Sequence, residues 1–132
     1  MRAMSNQILC RFEWSVRALA QPADIQLGLY PDFVWVADEL VFEFDEWYKK
    51  LCASVEAGKW PEAKLNLVHA INQQLVSMST ASDPNLWTDE ALAENEEWKN
   101  TRELALRCLH EMGWSLEPPP FERDLFVQGR IG

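Results

Sequence analysis

The sequence predicts an all-α protein: a four-helix bundle of up-down-up-down topology, closed by an extended apolar C-terminal strap. Three observations carry that prediction. Apolar residues recur at helical spacing over four long segments. The connections between the later segments are short, which makes neighbouring helices antiparallel. Pro118, Pro119 and Pro120 then force an extended polyproline piece. Residues 1–117 read as the bundle domain, and 118–132 as a Pro-led tail that packs on the bundle or stays flexible.

The first predicted helix spans about Ser5–Ala20, with Ser5 as its cap and Ile8, Leu9, Phe12, Val16 and Leu19 on one stripe. A loop containing Pro22, Gly28 and Pro31 follows. The second predicted helix, 32–58, has the strongest pattern. Phe33, Val36, Ala37, Leu40, Val41, Phe44, Trp47, Tyr48, Leu51, Cys52 and Val55 fill nearly half of its circumference, and Asp38, Glu39, Glu43, Asp45, Glu46, Lys49 and Lys50 the rest. Asp32 suits its N-cap and Gly58 its stop. The third runs from about Pro61, a residue tolerated in a first helical turn, to Met78. Its apolar side is Leu65, Leu67, Val68, Ile71, Leu75 and Met78. STASDPN (79–85) is turn chemistry. The fourth spans about Thr88–Met112, with Trp98, Ala105, Leu109 and Met112 aligned, and Gly113–Trp114 fits a Schellman stop. The tail FERDLFVQGRIG is rich enough in apolar residues to gain from being covered.

With 132 residues the chain is one domain, long enough for a core without metals or disulfides. Seven tryptophans are more than such a core readily hides, which points to a contact surface. The net charge of −9 disfavours direct binding of nucleic acid or anionic membranes and favours a basic protein partner. Cys10, Cys52 and Cys108 form no CxxC pair, and buried, reduced thiols imply a cytoplasmic setting. The N-terminal apolar run, broken by Arg11 and Glu13, is not a signal peptide, and no apolar run is long enough to cross a membrane.

The topology has a consequence for charge. The second and fourth predicted helices start at the same end of the bundle. The stretch 32–46 holds Asp32, Asp38, Glu39, Glu43, Asp45 and Glu46, and 83–97 holds Asp83, Asp89, Glu90, Glu94, Glu96 and Glu97, with no base in either. Twelve carboxylates therefore gather at one end. Glu90, Glu94 and Glu97 share one helical face, which suits an anionic patch as well as a dipole-stabilised helix start. Trp14, Trp35 and Phe42 fall off the apolar stripes and read either as interface anchors or as residues covered by a loop or the tail. Between Asn66 and Met78 the third helix carries no Asp, Glu, Lys or Arg, a face suited to a homodimer or a partner. Asn72 on that helix turns toward the apolar side and needs a hydrogen-bond partner there.

Catalytic patterns are missing. His69 and His110 are preceded three residues earlier by Asn66 and Arg107, not the Glu of a di-iron bundle. No zinc, calcium, nucleotide-loop or nucleophile-elbow motif occurs, so no metal or cofactor is expected. The leading expectation is a non-enzymatic module whose surface of Asp38, Glu39, Glu43, Glu46, Glu90, Glu94, Glu97, Trp14, Trp35 and Phe42 holds a basic partner. An immunity-type inhibitor of a nucleic-acid-acting toxin is the concrete form of that reading. A small acidic secretion-type chaperone is one alternative. A small-molecule-binding or catalytic bundle, with a pocket near His69 or Asn72, is another.

Overall fold

The computed structural model describes residues 2–54 and 57–123. It is an all-α bundle with four long helices and two short ones, and no strand among the described residues. The long helices are α1 (Arg2–Leu19), α3 (Val36–Ala53), α4 (Glu62–Thr80) and α6 (Glu96–Met112). The short ones are α2 (Ala23–Gly28), inside the loop expected after α1, and α5 (Asp89–Glu94), immediately before α6. Opposed pairs fix the directions. Phe12 packs on Phe44, Tyr48 meets His69, and Thr101 meets Met78. Phe12 also packs on Trp114, while Arg102 reaches the carbonyl of Gln21. Each long helix is thus antiparallel to the one before it, and α6 returns beside α1.

Helix α1 is more central than an amphipathic stripe requires. From Phe12 to Gln21 every residue is buried, including Glu13 and Arg17, which pair at 3.6 Å. Such all-round burial needs cover on the side away from α3 and α6, and the strap supplies it. Trp14 Nε1 donates to Pro120 O at 2.7 Å, Arg17 Nε to Glu117 O at 2.9 Å, and Gln21 Nε2 to Leu116 O at 3.1 Å. A polyproline segment has no internal hydrogen bonds, so its carbonyls are open to these three donors. The residues beyond Arg123 lie outside the described residues, as do Val55 and Glu56.

Side chains satisfy carbonyls at the ends of α1 and α5. Gln26, fully buried, donates to Ala18 O and Leu19 O at 3.1 and 3.3 Å. Arg102 donates to Gln21 O at 2.8 Å and Leu92 O at 3.0 Å, tying α6 to the ends of α1 and α5. The expected Schellman stop is present. Gly113 has φ 71°, its N–H donates to His110 O at 3.2 Å, and Trp114 N–H donates to Leu109 O at 3.0 Å.

Several boundaries differ from the expectations. Helix α1 already begins at Arg2, so Ser5 lies inside it and does not cap it. Helix α3 begins at Val36, not Asp32, because Leu29 and Tyr30 are buried and the chain must turn at Pro31 before it can re-enter the bundle. Phe33, expected on the apolar stripe, is left 87% exposed in that turn. The helix stops at Ala53, before Gly58. The fourth predicted helix is two. Asn95 leaves helical geometry at ψ 136° and its Oδ1 accepts from Glu97 N at 2.8 Å, capping α6. Cys10 and Cys108 are buried, but Cys52 is exposed, against the expectation for all three.

Burial sets a pH dependence. Cys108 is fully buried, which pushes its thiol up to about 12. Tyr48 is pushed up to about 12, first by burial and then by Cys52. Both groups are neutral when protonated, and folding raises both. Their contribution is complete below the unfolded values, about 9 for the thiol and about 10 for the phenol, and is lost as pH rises toward about 12. The urea midpoint should therefore fall from about pH 9 upward, and Cys108→Ala should flatten the decline. An identical pH profile in the variant would refute this assignment.

Candidate acidic docking surface

The two acidic stretches meet at one end of the bundle. The turn before α3 and the start of α5 form the walls of a cleft of about 380 Å³, lined by Asp32, Phe33, Val34, Trp35, Thr88, Asp89 and Glu90. Its position follows from local capping. Thr88 Oγ1 accepts from Ala91 N at 3.1 Å and starts α5 there, while the Pro31 turn brings Phe33 and Trp35 across from it. Trp35 is 71% exposed. Asp32, Asp89 and Glu90 form no ion pair among the described residues. The cleft thus combines unneutralised carboxylates with two exposed aromatic rings.

Phe42, 63% exposed, stands on the outer face of α3. On one side of it lies a larger cleft, about 570 Å³, lined by four carboxylates (Glu39, Glu43, Glu46, Glu122), by Arg11, Arg123, Tyr30 and Phe42, and by Pro31 and Phe121. Both arginines there are engaged. Arg11 lies over the Trp47 ring at 5.7 Å. Arg123 spans Glu43 with Nε at 3.2 Å and Nη2 at 3.1 Å, donates to Leu29 O at 3.1 Å, and sits 3.7 Å over Trp14. Tyr30 O–H donates to Glu43 at 2.7 Å. Burial first, and then Glu43, raise the Tyr30 phenol, with Arg123 opposing.

The structure therefore divides the ten residues expected to bind a partner. Trp35 and Glu90 line the smaller cleft, whereas Glu39, Glu46 and Phe42 line the larger one and Asp38 lies on α3 outside both linings. Glu46 pairs with Lys50 at 3.0 Å. Glu43 is largely committed to Arg123 and Tyr30. Glu90 and Glu94 are exposed on α5, but the break at Asn95 removes Glu97 from their face. Glu97 is half-buried in the first turn of α6, and its carbonyl accepts from Gln74 and Thr101. Trp14 is a correction: it is fully buried under the strap and offers nothing to a partner. Sequence reasoning missed Phe33 and Asp89 as members of the cleft. Pro31 gave no warning of it, because a helix can start directly after a proline; the burial of Leu29 and Tyr30 is what delays α3 to Val36.

His69 Nδ1 is 2.7 Å from Tyr48 Oη in the α3–α4 seam, and His110 is exposed in the last turn of α6, where a cation suits the dipole. Asn72 is half-buried on the wall of an α3–α4 groove. Among the described residues no group of three or more His, Cys, Asp or Glu side chains has a metal-site arrangement, and no helix is long and apolar enough to cross a membrane. No protein-family model matches the chain, and neither a curated protein nor a solved structure matches it.

Proposed function

We propose that this protein is a binding module without catalytic chemistry of its own, and that its acidic, aromatic end holds a basic protein partner. The observation that supports this reading most is the cleft of Asp32, Phe33, Trp35, Asp89 and Glu90. Large aromatic side chains left in water gain strongly from being covered, and Trp is among the residues most often dominant at interfaces. The surrounding carboxylates steer a basic partner and reject acidic ones. Six of the acids, Asp38, Glu39, Asp89, Glu90, Glu96 and Glu97, also favour the starts of α3, α5 and α6 through the helix dipoles, but that role does not call for exposed rings beside them. A partner whose basic surface normally meets nucleic-acid phosphates suits this end best, which is the action of an immunity-type inhibitor.

The test is capture from lysate of the source organism at low and high salt, with wild type, Trp35→Ala, and the pair Asp89→Asn/Glu90→Gln compared side by side. A basic protein should be held by wild type at low salt, weakened at high salt, and held about tenfold more weakly or worse by either variant. Capture of the same proteins in the same amounts by wild type and both variants would overturn the reading.

A further inference from the structure

We propose that the face beneath the strap is a recognition site for a partner's proline-rich segment ending in arginine, and that the strap fills it in cis as an exchangeable stand-in. This site is separate from the cleft of Trp35 and Glu90 and stands without it. What it grips is compact in sequence. Gln21 donates to Leu116 O, Arg17 to the carbonyls of Glu117 and Pro118, and Trp14 to Pro120 O. Pro119 is buried. Arg123 ends the run in a complete guanidinium seat. Glu43 accepts from its Nε and Nη2, Leu29 O accepts from Nη1, and the Trp14 and Tyr30 rings lie 3.7 and 4.9 Å from it. The strap leaves α6 at Gly113 and holds no helix or strand as far as Glu122, so it can lift without unwinding a helix.

Three features define the ligand. The face supplies donors, and consecutive prolines present carbonyls with no N–H to leave unpaired. Their extended backbone is also preformed, which lowers the ordering cost of docking on aromatic rings. The seat calls for arginine, because a lysine ammonium cannot bridge both Glu43 oxygens and stack on Trp14 at once. Finally, the strap is an imperfect occupant. Its Glu122 enters a cleft lined by Glu39, Glu43 and Glu46, where four carboxylates face Arg11 and Arg123. Glu43 is paired with Arg123 and Glu46 with Lys50, but Glu39 has no ion pair among the described residues. A partner segment with Lys or Arg just before its final arginine replaces a like-charge neighbour of Glu39 with an opposite one. That advantage lets it compete with a tethered strap, whose effective concentration is about millimolar.

The decisive experiment adds three synthetic peptides to the ¹⁵N-labelled full chain. They are a copy of residues 114–123, the copy with Glu122→Lys, and the copy with Arg123→Ala. Two further full-length hosts, Arg123→Ala and Pro119→Gly, loosen the strap by different means. In these hosts the copy should return the Trp14 indole N–H resonance toward its wild-type position, and bind about tenfold tighter than to wild type or more. The Glu122→Lys peptide should bind about fivefold tighter than the copy, and the Arg123→Ala peptide at least about tenfold more weakly. In wild type, the Glu122→Lys peptide at about 1 mM should shift the Arg123 Nε–H resonance as the strap is displaced. An unmoved Arg123 Nε–H in wild type together with an unmoved Trp14 indole in the folded hosts would overturn the proposal. Equal affinity for the copy and its Arg123→Ala form, or no gain from Glu122→Lys, would do the same. A wild-type dimer with exchanged straps would assign the site to a second copy and overturn the partner reading. If peptide binding holds while lysate capture proves independent of Trp35, Asp89 and Glu90, this site stands and the reading of the acidic end fails. The reverse pattern sinks this site alone.

Discussion

Replacing Trp14 by Ala is expected to destabilise the protein by about 3–5 kcal/mol, whereas Trp35→Ala should change stability by only about 0.5 kcal/mol or less. The two residues share a type but not an environment. Trp14 is fully buried, donates to Pro120 O, packs edge-on to Tyr30 with centroids 6.2 Å apart, and lies beneath the Arg123 guanidinium. Its loss leaves a cavity between α1 and the strap, removes the donor to Pro120 O, and takes away the ring on which Arg123 rests. Trp35 is 71% exposed and has little packing to lose. Guanidinium unfolding followed by circular dichroism measures both. Similar midpoints for the two variants would contradict the burial contrast on which the acidic surface is drawn.

The second large effect concerns the junction of Glu43 and Arg123. Their side chains are 16% and 17% exposed and make a two-pronged, charge-assisted contact. Arg123→Ala is expected to cost about 2–4 kcal/mol, because Glu43 then remains mostly buried without its cation and Trp14 loses its cover. Glu43→Leu should cost a comparable amount by stranding Arg123. The double variant Glu43→Leu/Arg123→Met should recover part of the loss, since two apolar side chains leave no unpaired charge. A double variant as unstable as the sum of the two single changes would mean that the residues act independently. A faster exchange of the Trp14 indole N–H in Arg123→Ala would locate the damage at the strap.

How much of this was legible in the chain depends on the distance over which each feature is decided. The Gly113–Trp114 stop was legible because φ above zero and the two closing hydrogen bonds involve only residues 109–114. The bundle itself was legible because short connections leave antiparallel neighbours little alternative. Asn95 was legible in principle. An Asn followed by Glu96 and Glu97 is an N-cap with acids in the first turn, but the continuous run of helix-favouring acids around it hid the break. The merging of two acidic stretches at one end followed from topology alone. Their joining into a cleft with Phe33 and Trp35 did not, because it depends on Leu29 and Tyr30 being drawn into the core and on where the chain turns back out.

By itself the sequence determined the helical class, the antiparallel order and the sign and placement of the charge. Each follows from periodicity, connection length or composition, all local or additive properties. Only the tertiary structure decided which off-stripe aromatics meet water. Trp14 and Trp35 both fall outside the apolar stripes of the predicted helices, yet Trp14 is covered by Pro120, 106 residues away, and Trp35 is left exposed. Glu43, like Glu39, reads as a surface acid until Arg123, 80 residues on, takes it. Burial is a property of the whole packed chain, and a helical wheel shows one helix without what lies on top of it.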